Sequence, residues 1–352
     1  MKLLTIIGAR PQFVKASVVS KALIERGEAA EIIVHTGQHF DENMSNIFFD
    51  QLGIPRPNYL LDIHGGSHGA MTGRMLSEVE RVMLEAKPDR VLVYGDTNST
   101  LAGALAAAKL NIPVAHIEAG LRSFNMRMPE EINRILTDQV SDILFCPTMA
   151  AVKNLSREGF AEKPVRILNV GDVMQDCALF FAQRAKRPEG LNLAGDFILT
   201  TLHRAENTDD PVRLKSIVDA LNEVHTTVAP VIVPLHPRTK GAMRKFGLSL
   251  NVHIVEPVGY LEMIWLLQRC GLVLTDSGGV QKEAFFFGKY CVTMRDQTEW
   301  VELLTAGVNE LVCADKAKIV EAVASKFGHA VADQQQLYGG GQAAERIAPH
   351  LN

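Results

Sequence analysis

The chain has 352 residues, 47% hydrophobic and 22% charged, which excludes disordered and low-complexity classes. At roughly 150 residues per domain that length predicts two domains, large enough to fold without disulfides or metal. The 36 basic against 40 acidic side chains leave a net charge of −4, so the overall charge gives no case for nucleic acid or an anionic membrane.

The opening Met1–Ala9 is apolar, but Arg10 interrupts it and no small-residue cleavage site follows, so it reads as a first strand and not a signal peptide. Strand Leu3–Gly8 leads into Ala9-Arg10-Pro11-Gln12, with Lys15 a turn later. A glycine turn, free helix N–H groups and two cations favour an anion site. The bland alternative is solvated first-turn side chains, although basic charge there opposes the helix dipole. Lys15–Arg26 and Gly73–Ala86 read as crossover helices, with Glu31–Thr36 a buried strand between them. Strand Arg90–Gly95 ends in Asp96-Thr97-Asn98-Ser99-Thr100, where Asp96 is equally well a helix cap or a functional carboxylate. The apolar stretch Leu101–Ala108 is far short of a membrane span.

Strand Pro113–Ile117 runs into Glu118, a carboxylate with few structural uses apart from pairing with Arg122. Met128–Arg134 reads as a helix start with Pro129 at its first position. Glu130 and Arg134 share a face while Glu131 points elsewhere, and on its residues alone this segment is explained by dipole complementation and one surface ion pair.

The pattern loosens between 145 and 190, with linker material at Val170–Asp172 and Arg184–Gly195. It restarts in strands Phe197–Leu202, Val231–Leu235, Val252–Val255, Leu272–Leu274 and Tyr290–Met294. Two strand ends carry a histidine beside an arginine, as His203-Arg204 and His236-Pro237-Arg238. A lone histidine is usually structural; two at equivalent strand ends are harder to dismiss. The clearest single signal is Thr275-Asp276-Ser277-Gly278-Gly279, a strand, then a hydroxyl and glycines opening a helix, which presents N–H groups to a phosphate. Glu283, a turn further on, is placed to accept from ribose hydroxyls. The segment matches neither the P-loop nor GxGxxG. Five dispersed cysteines without CxxC read as reduced thiols of a cytoplasmic protein.

Alternating strands and helices predict two doubly wound α/β domains, with the ligand in a cleft between them. An anion site in each half, with three carboxylates in the first, fits a diphosphate-bearing substrate worked on by acid/base groups. No sequence pattern for a metal or a nucleophile appears.

Gly8-Ala9-Arg10-Pro11 with Lys15, Gly95-Asp96-Thr97, His116-Ile117-Glu118-Ala119-Gly120-Leu121-Arg122, Pro129-Glu130-Glu131-Ile132-Asn133-Arg134, His203-Arg204 and Asp276-Ser277-Gly278-Gly279 occur in the order found in the non-hydrolysing UDP-N-acetylglucosamine 2-epimerase family. The chain resembles that family from Leu3 to Glu345. The resemblance implies a GT-B type fold of two Rossmann-like domains, 1–168 and 169–335, with a C-terminal helix near 336–352 returning to the first. It implies a homodimer, no cofactor, and inversion at C2 of a UDP-linked N-acetyl sugar through elimination and re-addition of UDP. It implies catalytic roles for Asp96, Glu118 and Glu130, with Arg134 orienting Glu130. Arg10, Lys15, His203, His236 and the Ser277-Gly278-Gly279 amides would hold the diphosphate, and Glu283 the ribose.

Three departures accompany it. The segment usually beginning Gln-His-Arg reads Gln38-His39-Phe40-Asp41-Glu42-Asn43-Met44, which puts activation by substrate in doubt. The loop Ser123–Met128 is short and carries Arg127, and Glu299-Trp300-Val301-Glu302 replaces Glu-Arg-Pro-Glu. Together with Gly171-Asp172-Val173-Met174, these resemble the branch acting on UDP-2,3-diacetamido-2,3-dideoxy-glucuronate, an O-antigen precursor, with Arg127 expected to meet the C5 carboxylate. A plain UDP-N-acetylhexosamine, a GT-B glycosyltransferase and a hydrolysing epimerase remain the alternatives.

Overall fold

The runs Leu3–Gly8, Glu31–Thr36, Arg90–Gly95 and Pro113–Ile117 of the first half become strands of one parallel sheet, buried because crossover helices cover both faces. The structure is a computed structural model and describes residues 1–27, 29–38, 56–191, 195–333 and 336–352; the Arg10 side chain and residues 39–44 of the segment beginning at Gln38 lie outside the described residues. The first sheet contains β1 (Lys2–Ile7), β2 (Ala30–His35), β3 (Tyr59–Leu60), β4 (Arg90–Tyr94), β5 (Val114–Ile117), β6 (Ile143–Cys146) and β7 (Arg166–Asn169), in the order β3-β2-β1-β4-β5-β6-β7. The order reverses between β1 and β4, the switch point at which doubly wound sheets bind ligands. Helices α1 (Arg10–Arg26), α3 (Asn98–Lys109) and α4 (Pro129–Val140) follow β1, β4 and β5, the strands whose ends carry the polar motifs, while α2 (His68–Ala86) follows β3.

The second sheet holds β8 (Ile198–Thr201), β9 (Val231–Pro234), β10 (His253–Val255), β11 (Leu272–Thr275), β12 (Cys291–Thr293) and β13 (Asn309–Leu311). Its order, β10-β9-β8-β11-β12-β13, places the switch point between β8 and β11. These are the strands that end at His203 and at Asp276.

The chain divides into one unit of Met1–Cys177 with Gln336–Asn352 and another of Ala178–Gln335. The division falls inside helix Val173–Ala182, beyond the 168/169 boundary read from the sequence. The physical reason lies in Val170–Asp172, which is buried and not linker. Asp172 N–H donates to Tyr338 O at 2.9 Å, and Asp176 accepts the N–H groups of Ala343 and Ala344 at 3.1 and 2.7 Å. The segment after 336 is thereby fastened to the first unit. Four of the five cysteines are buried, while Cys313 is half-buried; all five thiols are free.

Candidate active site

In the first unit the polar groups gather where β1, β4 and β5 end. Strand register sets Val93 beside His116 and Tyr94 beside Ile117, so Gly95 and Glu118 leave the sheet side by side. Lys15, one turn into α1, reaches Glu118 in a largely buried ion pair. This answers the pairing question at Glu118: its cation is Lys15, whereas Arg122 turns to Asp138 at 2.8 Å and Glu158 at 2.7 Å. Glu118 holds a left-handed backbone with φ +73, a conformation that costs a non-glycine residue on the order of 1–3 kcal/mol and clusters at functional sites. Gly95, at φ +62, makes room: a Cβ there would stand 3.2 Å from Glu118 Oε2 and 3.6 Å from Lys15 Nζ.

Asp96 does not cap α3. Thr97 does, accepting from Thr100 N–H, which leaves the Asp96 carboxylate to pair with Arg134. Arg134 makes its second ion pair with Glu131 at 2.8 Å. The expected Arg134–Glu130 partnership is therefore replaced, because Glu131 is the member of the Glu-Glu pair that α4 turns inward. Glu131 is buried and accepts the N–H groups of Ser123 and Phe124 at 2.9 and 2.8 Å, anchoring the loop ahead of the helix. Glu130 is exposed, and no ion pair reaches it among the described residues. Arg127 is exposed on the same loop, its own N–H held by Asn125 Oδ1 at 3.1 Å, and its side chain has no ion-pair partner among the described residues.

Two buried amides tie the strand ends together. Gln12 accepts from Gly8 and Ala9 N–H at 2.8 and 3.0 Å and donates to Tyr94 O at 2.7 Å. The N–H groups of Gly8 and Ala9, ahead of α1, are thus occupied. Asn133 donates to Asp96 O at 2.9 Å and Asn98 Oδ1 at 3.2 Å. Glu131, Gln12 and Asn133 were not singled out from the sequence; only Gln12 carried a signal, a glutamine three residues after a cap position.

In the second unit Asp276, wholly buried at the end of β11, organises the turn after β8. It accepts the N–H groups of His203 (3.1 Å) and Arg204 (2.9 Å) and faces His203 Nδ1 at 3.4 Å. Burial lowers the His203 pKa, against the pull of Asp276, so the ring is less cationic than a free histidine. His203 and His236 lie with ring centroids 6.2 Å apart, and His236 Nδ1 caps the following helix by accepting Arg238 N–H at 3.2 Å. Ser277 stands at the N-cap of helix Gly278–Phe286 without capping it through its side chain. At Gly278 a Cβ would come within 2.4 Å of Glu299 Oε1, and Trp300 Nε1 donates to Gly278 O at 2.9 Å, so Glu299-Trp300 borders this helix start. Gly279 opens on free space, and Glu283 is half-buried on the same helix. Among the described residues no cluster of His, Cys, Asp or Glu could hold a metal ion, and no helix is long and apolar enough to cross a membrane.

Residues 21–352 match the family model described as UDP-N-acetylglucosamine 2-epimerase. The chain is 73% identical over 351 residues to the UDP-2,3-diacetamido-2,3-dideoxy-D-glucuronate 2-epimerase of Pseudomonas aeruginosa, covering 100% of this chain and 99% of that protein. Among solved structures it is similar to Methanocaldococcus jannaschii UDP-GlcNAc 2-epimerase in complex with UDP-GlcNAc and UDP (TM-score 0.86, 45% identity, 100% and 99% coverage). It is also similar to UDP-GlcNAc 2-epimerase from Neisseria meningitidis bound to UDP-GlcNAc (TM-score 0.87, 30% identity, 100% and 99% coverage).

Proposed function

The chain belongs to the UDP-N-acetylglucosamine 2-epimerase family, with its GT-B type α/β fold of two Rossmann-like units, and from that membership we propose that it inverts C2 of UDP-2,3-diacetamido-2,3-dideoxy-glucuronate without hydrolysis. The observation that carries this reading is the pair of carboxylates, Asp96 and Glu118, each matched to its own cation at the ends of adjacent strands. Such pairing fixes both groups at the strand ends, as proton transfer to and from carbon requires.

The C1–O bond to UDP breaks first, because C2–H is not acidic, and the C2 proton then passes to one carboxylate, giving a 2-acetamidoglucal. UDP then re-adds at C1 while the opposite face of C2 receives a proton. Asp96, Glu118 and Glu130 supply these acid/base groups, with Lys15 and Arg134 holding the first two. In the second unit His203, His236 and the Ser277-Gly278-Gly279 segment hold the diphosphate and Glu283 the ribose, with Arg10 assigned to the same anion. Arg127 meets the C5 carboxylate: Lys15, Arg122 and Arg134 are each committed to acidic partners, whereas Arg127 is not. The free buried thiols support a reducing cytoplasm. Exposed Phe124, Met126, Ile132 and Leu136 support a homodimer.

Incubating the chain in deuterated water with this uronate, and separately with UDP-N-acetylglucosamine, tests the reading. Solvent deuterium at C2 of both uronate epimers is expected. Turnover of the hexosamine alone rejects the uronate; free sugar plus UDP, or transfer to an acceptor with C2–H intact, rejects non-hydrolysing epimerisation.

A further inference from the structure

We infer that His116 and Asp138 are positioning residues for the two carboxylates of the first unit, an inference that rests on the function proposed above. Both side chains are wholly buried. His116 Nδ1 is hydrogen-bonded to Asp138 Oδ1 at 2.7 Å, and Nε2 donates to Gly95 O at 2.7 Å, an oxygen that can only accept. That carbonyl belongs to the peptide linking Gly95 to Asp96. The next carbonyl, Asp96 O, is the one Asn133 binds. The backbone on both sides of the Asp96 side chain is therefore held by a side chain from another element.

Asp138 does the same for Glu118. Its Oδ2 accepts Gly120 N–H at 3.1 Å and pairs with Arg122 Nη1 at 2.8 Å. His116 precedes Glu118 by two residues and Gly120 follows it by two, so one buried carboxylate grips both flanks of the left-handed turn. On the other side of that turn, Glu118 and Ala119 N–H both point to Phe145 O at 3.1 Å. A buried ion pair is weak evidence for stability, since apolar residues of similar size often serve as well. The bonds to Gly95 O and Gly120 N–H have a more specific consequence: they extend the hold on the two strand ends past the last paired residues, Tyr94 and Ile117, to the turns that carry Asp96 and Glu118. A misplacement of about 1 Å at reacting groups costs on the order of 100-fold in rate.

The test uses the ring's two nitrogens separately. In His116→Gln the amide nitrogen approximates Nε2 and keeps a donor for Gly95 O; in His116→Asn it approximates Nδ1 and keeps only the bond to Asp138. We expect His116→Asn to lose about 100-fold in kcat with KM nearly unchanged, and His116→Gln to recover most of it. Asp138→Asn, which preserves volume, is expected to lower kcat about tenfold. UDP titration should match the wild type in all three. Wild-type rates in His116→Asn or Asp138→Asn, equal kcat losses in both His116 variants, or losses confined to KM or UDP affinity overturn the positioning role. Should both His116 variants melt below the assay temperature, Asp138→Asn decides by the same kcat criterion. A wild-type chain without C2 exchange would instead refute the proposed function, so the two failures are separable.

Discussion

Glu118 shows how a side chain can be legible in a sequence while its surroundings are not. A carboxylate directly after a buried apolar strand stands out, as do Lys15 and Asp96, because burial leaves little else for charge to do there. Its partner is not legible: Arg122 is nearer along the chain, yet Lys15, from a different crossover, closes the pair. Asn133, His116 and Asp138 escape notice for the same reason, since each acts through a hydrogen bond to an element distant in sequence. Gly95 offers a sharp test at this scale. Gly95→Ala sets a methyl 3.2 Å from Glu118 Oε2 on a backbone that L residues rarely adopt. Initial rates are expected to fall about 100-fold with UDP affinity retained; unchanged rates would detach Gly95 and Glu118 from the chemistry. Arg127→Ala is expected to cost about tenfold in kcat/KM for the uronate, or ~1.4 kcal/mol of transition-state binding, while leaving UDP binding intact. An equal loss with UDP-N-acetylglucosamine would show that Arg127 does not read the carboxylate.

At the level of elements, the long apolar strands follow from the sequence, within a residue or two at their ends. The segments missed are those with weak local signals. β6 is only Ile143–Cys146, set off from α4 by Ser141-Asp142, and β7 alternates around half-exposed positions with Arg166 and Asn169 at its ends. Neither declares a period over four residues. The short helix Ala343–Ile347 is held by Asp176, and here pH matters. Burial raises the Asp176 pKa from 3.8 to about 6, against the opposing N–H bonds of Ala344 and Ala343. An acid whose folded pKa exceeds its unfolded value is penalised when ionised, so this contribution turns unfavourable as pH rises from about 4 to about 6 and is constant above. The melting temperature of Asp176→Asn relative to the wild type is therefore expected to shift in the variant's favour across that window. A difference independent of pH would contradict the assignment.

For the whole molecule, composition and alternation predict two doubly wound sheets, and each shows its order reversal at the strands carrying the polar motifs. The association state rests on the surface. Phe124 and Met126 are 73% and 60% exposed, on a loop whose backbone Glu131 pins beside Ile132. A Phe124→Ser/Met126→Ser double variant is expected to sediment as a monomer where the wild type sediments as a dimer; a wild-type monomer, or a variant that still dimerises, would remove this face from the assembly.

The first unit is assembled from two stretches of chain, Met1–Cys177 and Gln336–Asn352, whereas Ala178–Gln335 is one uninterrupted stretch. Emerging from the ribosome, the later half can reach its native topology while the earlier one still waits for its last helix. Until then Asp176 and the Asp172 N–H lack the Ala343, Ala344 and Tyr338 groups they bind in the finished fold, so the order of synthesis and the order of completion run in opposite directions.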